Sequence, residues 1–117
     1  MNRKRMYALG RLKQGEMNRT EAAYAAVLEQ QKQTGEILWF KFEGVKLRLA
    51  DNTFLSPDFF VMAANGELSA HEVKGFMMDD AHVKLKVAAD TYPFPFYVIR
   101  SKSKKDGGGW SIDQVGK

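Results

Sequence analysis

Two periodicities share the chain. Tyr24, Val27, Leu28 and Gln31 recur at helical spacing among alanines, which are good helix formers. Thr20 reads as the N-cap and Gly35 as the stop, so a helix is expected from about Glu21 to Gln33. Residues 37–42, ILWFKF, read as a strand, and Glu43-Gly44 as a tight turn out of it. Val45, Leu47 and Leu49 alternate with Lys46 and Arg48, the period of a half-buried strand, and Asp51-Asn52 turns the chain again. Trp39, Phe40, Phe42, Phe59 and Phe60 are expected in the core. Further on, Asp79-Asp80 reads as a capping pair for a helix over about residues 80–92, ended by Pro93, with Ala81, Leu85, Ala88 and Tyr92 facing inward. Residues 96–99 form a buried strand, 101–109 a basic glycine-rich loop, and 110–112 a short edge strand.

Between these segments lies the stretch that organises the rest, Ser56 to Gly75. Two apolar runs flank Asn65-Gly66, the signal of a β-hairpin. Asp58 opens the first strand; Glu72 and Lys74 close the second. A two-residue turn would set Asp58 opposite Val73 and point Glu72 and Lys74 to the other face. A three-residue loop, Ala64 to Gly66 with Gly66 left-handed, sets Asp58 opposite Glu72 and places Lys74 on the same side. The second register is expected, because the first divides three charged groups between two faces. His71, by alternation, points away from them.

That register has chemical content. Two adjacent carboxylates repel unless a cation lies between them. Oxygen ligands with open positions suit Mg²⁺ or Mn²⁺, and a lysine beside them can orient a water for phosphodiester hydrolysis.

Pro57-Asp58, a spacer of thirteen residues, then Glu72-Val73-Lys74 resembles the PD-(D/E)xK nuclease superfamily motif. The small size and the spacing of Glu21, Asp58, Glu72 and Lys74 are similar to those of short phage-encoded members, including phage Holliday-junction resolvases. The resemblance implies an α/β fold with an αβββαβ restriction-endonuclease-like core, a central mixed sheet flanked by helices, here with the first strand elaborated into a hairpin. It further implies that Asp58, Glu72 and the main-chain carbonyl of Val73 hold Mg²⁺ or Mn²⁺, that Glu21 completes the acidic cluster, and that Lys74 positions the attacking water. Position alone reads Glu21 as a first-turn residue favoured by the helix dipole; the resemblance makes it catalytic. The implied activity is that of a metal-dependent DNA endonuclease, structure-specific on branched DNA and acting as a homodimer. The alternatives are a non-catalytic DNA-binding accessory that keeps the fold, and an interaction domain whose hairpin charges are incidental.

Composition narrows the chemistry. At 117 residues with no cysteine and two histidines, the chain has neither a disulfide framework nor a thiolate or histidine-rich metal site. No apolar run approaches spanning length and no signal-peptide core follows the first residues, so a cytoplasmic protein is expected, in a bacterial host if phage-encoded. The net charge of +4 is uneven: residues 1–15 carry five basic groups and no acid, residues 16–99 eight basic and twelve acidic, and residues 100–117 five basic and two acidic. An acidic centre between basic flanks suits an enzyme acting on a polyanion. Residues 1–17 read as a flexible basic arm and 18–117 as one domain. Candidate phosphate contacts are Arg3, Lys4 and Arg5 in the arm, Lys46 and Arg48 on the exposed strand face, Lys84 on the second helix, and Lys102 and Lys104 in the late loop.

Overall fold

A computed structural model describes residues 15–74 and 79–116, with backbone only for residues 79–81. The expected arm with Arg3, Lys4 and Arg5, the segment 75–78 and the capping side chains of Asp79 and Asp80 lie outside the described residues. The order is α1 (Arg19–Gln33), β1 (Ile37–Phe42), β2 (Leu47–Ala50), β3 (Thr53–Leu55), β4 (Phe59–Ala63), β5 (Leu68–Val73), α2 (Asp79–Thr91), β6 (Phe96–Ser101), a 3-10 turn (Lys104–Asp106) and β7 (Trp110–Gln114).

Five strands form a mixed sheet in the order β1-β4-β5-β6-β7. Among the described residues only the β5–β6 pair is parallel, and α2 crosses over between those two strands. Alternation along β4 and β5 divides the core in two. Phe59, Val61, Val73 and Ile99 pack on one face with Tyr24 and Leu28 of α1. Phe60, Ala70, Phe96 and Val98 pack on the other with Leu85 and Ala88 of α2. Leu28, Phe59 and Ile99 are fully buried, each contributing about 1.5–3 kcal/mol of apolar burial. The layers are thus helix, sheet and helix, an α/β architecture.

Three expectations are corrected. The helix N-cap is Asn18, not Thr20. Asn18 Oδ1 accepts the Glu21 N–H at 2.8 Å and Glu21 Oε1 accepts the Asn18 N–H at 2.9 Å, a reciprocal capping box. Glu43-Gly44 is not a hairpin turn joining β1 to the next strand. β1 pairs instead with β4, Phe42 beside Phe59, while β2 and β3 pair with each other around Asp51-Asn52 as a separate two-stranded sheet. Glu43 takes a left-handed φ of 49° and donates its N–H to the Asp58 carbonyl at 2.8 Å, so the chain leaves the sheet there. Leu47 and Leu55 of the small hairpin are then buried on the α2 face. Of the aromatics, Phe59 and Phe60 are buried and Phe40 and Phe42 half-buried. Trp39 is 39% exposed, because β1 is an edge strand among the described residues.

The central hairpin adopts the expected register. The Ala63 N–H meets the Glu67 carbonyl and the Gly66 N–H meets the Ala63 carbonyl, both at 2.8 Å. Gly66 has φ 88°, a conformation that a β-carbon would strain. Asn65 Oδ1 accepts the Glu67 N–H at 3.0 Å and braces the three-residue loop. Phe59 consequently lies opposite His71 and Phe60 opposite Ala70.

Candidate functional site

Continuing that register by one residue brings Asp58 level with Glu72. Continuing by two brings Pro57 opposite Val73, and a proline has no N–H to give the Val73 carbonyl. The ladder ends there, and side chains complete it. Asp58 Oδ2 accepts the Val73 N–H at 2.8 Å, and Glu72 Oε1 accepts the Asp58 N–H at 2.9 Å. The two acids are therefore pinned reciprocally, each by the backbone of the other's strand. One oxygen of each carboxylate is committed to the backbone and one is left for other partners. Glu72 Oε2 lies 3.9 Å from Lys74 Nζ.

The strand directions place further groups at this end of the sheet. The end of β5 is also the start of β4, the end of β1, the end of β6 and the start of β7. Glu21, in the first turn of α1, is near enough for the Asp58 charge to act on it, while its Oε1 serves the cap. Glu43, at the end of β1, adds its charge to the field on Glu21 and accepts the Gly15 N–H at 2.9 Å. The structure thus gathers Glu21, Asp58, Glu72 and Lys74. Among the described residues, no group of three or more His, Cys, Asp or Glu side chains is placed to hold a metal ion by itself.

Electrostatics make this a strained cluster of negative charge. Burial, then the charge of Glu72, pushes Asp58 from its ordinary 3.8 up to about 7. Burial also raises Glu72, against the pull of the Lys74 ammonium. Burial raises Glu21 and the Asp58 charge adds to it, against the capping hydrogen bond from Asn18. Without a cation the cluster therefore holds a proton near neutrality, shared by the Asp58–Glu72 pair.

The candidate phosphate contacts divide. Lys102 and Lys104 are exposed in the β6–β7 loop, at the site end of the sheet. Lys84 is exposed on α2. Lys46 is exposed with its Nζ 4.6 Å from the centre of the Phe54 ring. Arg48 is drawn elsewhere: its carbonyl accepts the Tyr92 hydroxyl near the far end of α2, and its guanidinium reaches Asp51 at 3.9 Å. The structure does not bring Arg48 to the acidic cluster. A cavity of 330 Å³ also lies at the opposite end, between Tyr92, Phe94, Phe96 and Val115, and no charged side chain among the described residues lines it.

Sequence reasoning missed two features. The Asn18 cap was visible as Asn-x-x-Glu, the capping-box spacing. The placement of Glu43 was not, since it follows from β1 pairing with β4. His71 points to the α1 face as alternation requires. Its Nδ1 lies 2.6 Å from the Tyr24 hydroxyl and its Nε2 2.9 Å from Ser69 Oγ. Burial lowers its pKa to about 4 and raises that of Tyr24, so both are neutral at pH 7.

Comparison with known protein families, with characterised proteins and with solved structures finds no match to this chain. No helix among the described residues is long and apolar enough to cross a membrane.

Proposed function

We propose that the chain is a metal-dependent DNA endonuclease that hydrolyses phosphodiester bonds, with branched DNA as the substrate class of the phage resolvases it resembles. One observation carries the reading: Asp58 and Glu72 are pinned together at the end of one hairpin, with Lys74 3.9 Å from Glu72. The donor set fits a hard divalent cation. Two partly desolvated carboxylates at close quarters are costly as a bare pair, and Mg²⁺ or Mn²⁺ relieves that repulsion through oxygen ligands.

When bound, the cation supplies charge neutralisation at the scissile phosphate and a water of lowered pKa. Asp58, Glu72 and the Val73 carbonyl are its ligands in this reading, the last because Pro57 leaves that carbonyl without a ladder donor. Glu21 completes the acidic cluster from the α1 side. Lys74 holds the attacking water in line with the phosphorus and meets the negative charge that grows on the phosphoryl oxygens. In this reading Lys102 and Lys104, exposed at the same end of the sheet, bind flanking phosphates, with Lys84 and Lys46 as outer contacts and the Arg3, Lys4 and Arg5 arm as a further one. A single site cuts one strand, so paired cuts at a junction require two copies.

The test is cleavage of junction, flap, duplex and single-stranded DNA in Mg²⁺, Mn²⁺ or EDTA. Metal-dependent nicking that Asp58→Ala, Glu72→Ala and Lys74→Ala each abolish supports the enzyme. Salt-sensitive binding without cleavage of any substrate supports the non-catalytic accessory instead.

A further inference from the structure

The Tyr24–His71 hydrogen bond spans the α1–sheet interface and joins the two elements that carry the acidic cluster. Tyr24 lies three residues after Glu21, so the two are neighbours along one side of α1. His71 immediately precedes Glu72 on β5. The bond is short, 2.6 Å, and both its partners are largely buried. Each is held on its own account. The Tyr24 ring meets Phe59 and Trp110 edge-on, with centroids 5.6 and 5.3 Å away. His71 meets Tyr97 edge-on at 5.5 Å, and its second nitrogen is occupied by Ser69 at 2.9 Å. Phe59, beneath Tyr24, directly follows Asp58.

We propose that Tyr24 and His71 are positioning residues that set how far Glu21 stands from Asp58 and Glu72, and thereby tune the affinity of the cluster for a divalent cation. The contact is well placed for this role. Leu28, with the partly buried Ala25 and Val27 of α1, packs in the apolar cluster on this face of the sheet, and such surfaces resist separation but slide along one another. A hydrogen bond between a ring nitrogen and a hydroxyl has one favourable distance and direction, and so fixes the register of the two elements. One helical turn from the bond on one side, and one residue from it on the other, stand the carboxylates whose spacing matters.

This inference rests on the metal reading above, and the test separates the two. Manganese is titrated calorimetrically into the wild type, Tyr24→Phe, His71→Ala and His71→Asn, with folding checked by circular dichroism. Tyr24→Phe removes one oxygen and leaves the ring packing in place. It should weaken Mn²⁺ binding by about tenfold or more, as loss of a group orienting the ligands does. His71→Ala should do the same. His71→Asn puts an amide oxygen near the position of Nδ1 and should restore much of the affinity. Equal affinity in the wild type and Tyr24→Phe, both folded, overturns the proposal, as does an asparagine variant no better than alanine. If the wild type itself takes up no Mn²⁺, the metal reading fails. The positioning role then stands on hydrogen exchange at the Asp58 and Val73 amides, which the two carboxylates hold. Faster exchange there in Tyr24→Phe, with the β6–β7 amides unchanged, supports it; unchanged exchange at all of them overturns it.

Discussion

Replacing Asp58 by asparagine should stabilise the metal-free protein at pH 8 while removing its activity. Burial and the Glu72 charge raise the Asp58 pKa from 3.8 to about 7. A folded-state value above the unfolded one means that folding takes up a proton between the two values. Stability is therefore intact below pH 3.8 and is lost as pH rises through about 7. At about 1.4 kcal/mol per pH unit, the loss approaches about 4 kcal/mol by pH 8. Asparagine keeps an oxygen to accept the Val73 N–H, offers an NH₂ group to Glu72, and carries no charge. Its advantage over the wild type should be small at pH 4.5 and should grow to a few kcal/mol at pH 8. His71 opposes the trend in the wild type. Its value is lowered to about 4, so it adds stability as pH rises towards 6.5. It is present in both proteins and cancels in the difference. Urea unfolding in EDTA at the two pH values measures that difference. An asparagine variant less stable than the wild type at pH 8, or a gap that does not change with pH, would refute the argument that the acid pair is electrostatically costly when empty.

Other outcomes follow from the same geometry. Lys74→Ala should lower the cleavage rate at least about 100-fold while leaving binding to junction DNA within a few-fold, as measured by single-turnover cleavage and gel shift. His71→Asn should gain stability relative to the wild type as pH falls from 6.5 to 4, read by urea unfolding, because the buried imidazole that resists protonation is gone. Leu28→Ala, at a fully buried position of α1, should cost about 2–5 kcal/mol in the same assay. Lys102→Ala with Lys104→Ala should reduce the slope of log affinity against log salt by about 2, whereas Arg48→Ala should leave it unchanged.

The part of this molecule that is local in sequence was legible, and the part set by distant pairing was not. Asn65-Gly66 and the chemical cost of splitting three charges between two faces were enough to choose the hairpin register, and Gly66 indeed takes the left-handed conformation. The inward stripe of α2 was readable for Leu85 and Ala88, since both recur at helical spacing and both are buried. β1 was legible as a strand but not as the partner of β4. ILWFKF lacks alternation, and Glu43-Gly44 offers a turn to the neighbouring segment at no visible cost. The chain takes the other course because pairing β1 with β4 frees the β2–β3 hairpin to bury Leu47 and Leu55 against α2. The same long-range choice brings Glu43 to the cluster. Tyr24 and His71 are 47 residues apart, and nothing in either segment announces the bond between them. Trp39 was misplaced for a related reason: strand-face alternation shows which side a residue takes, not whether its strand is an edge.

The central claim is that Asp58 and Glu72 together hold one divalent cation. Calorimetric titration of Mn²⁺ into the metal-free wild type, Asp58→Asn and Glu72→Gln tests it most directly. The account predicts binding to the wild type that either substitution abolishes without unfolding the protein. Wild-type chain that gives no binding heat even with junction DNA present, or variants that bind Mn²⁺ as tightly as the wild type, would contradict it.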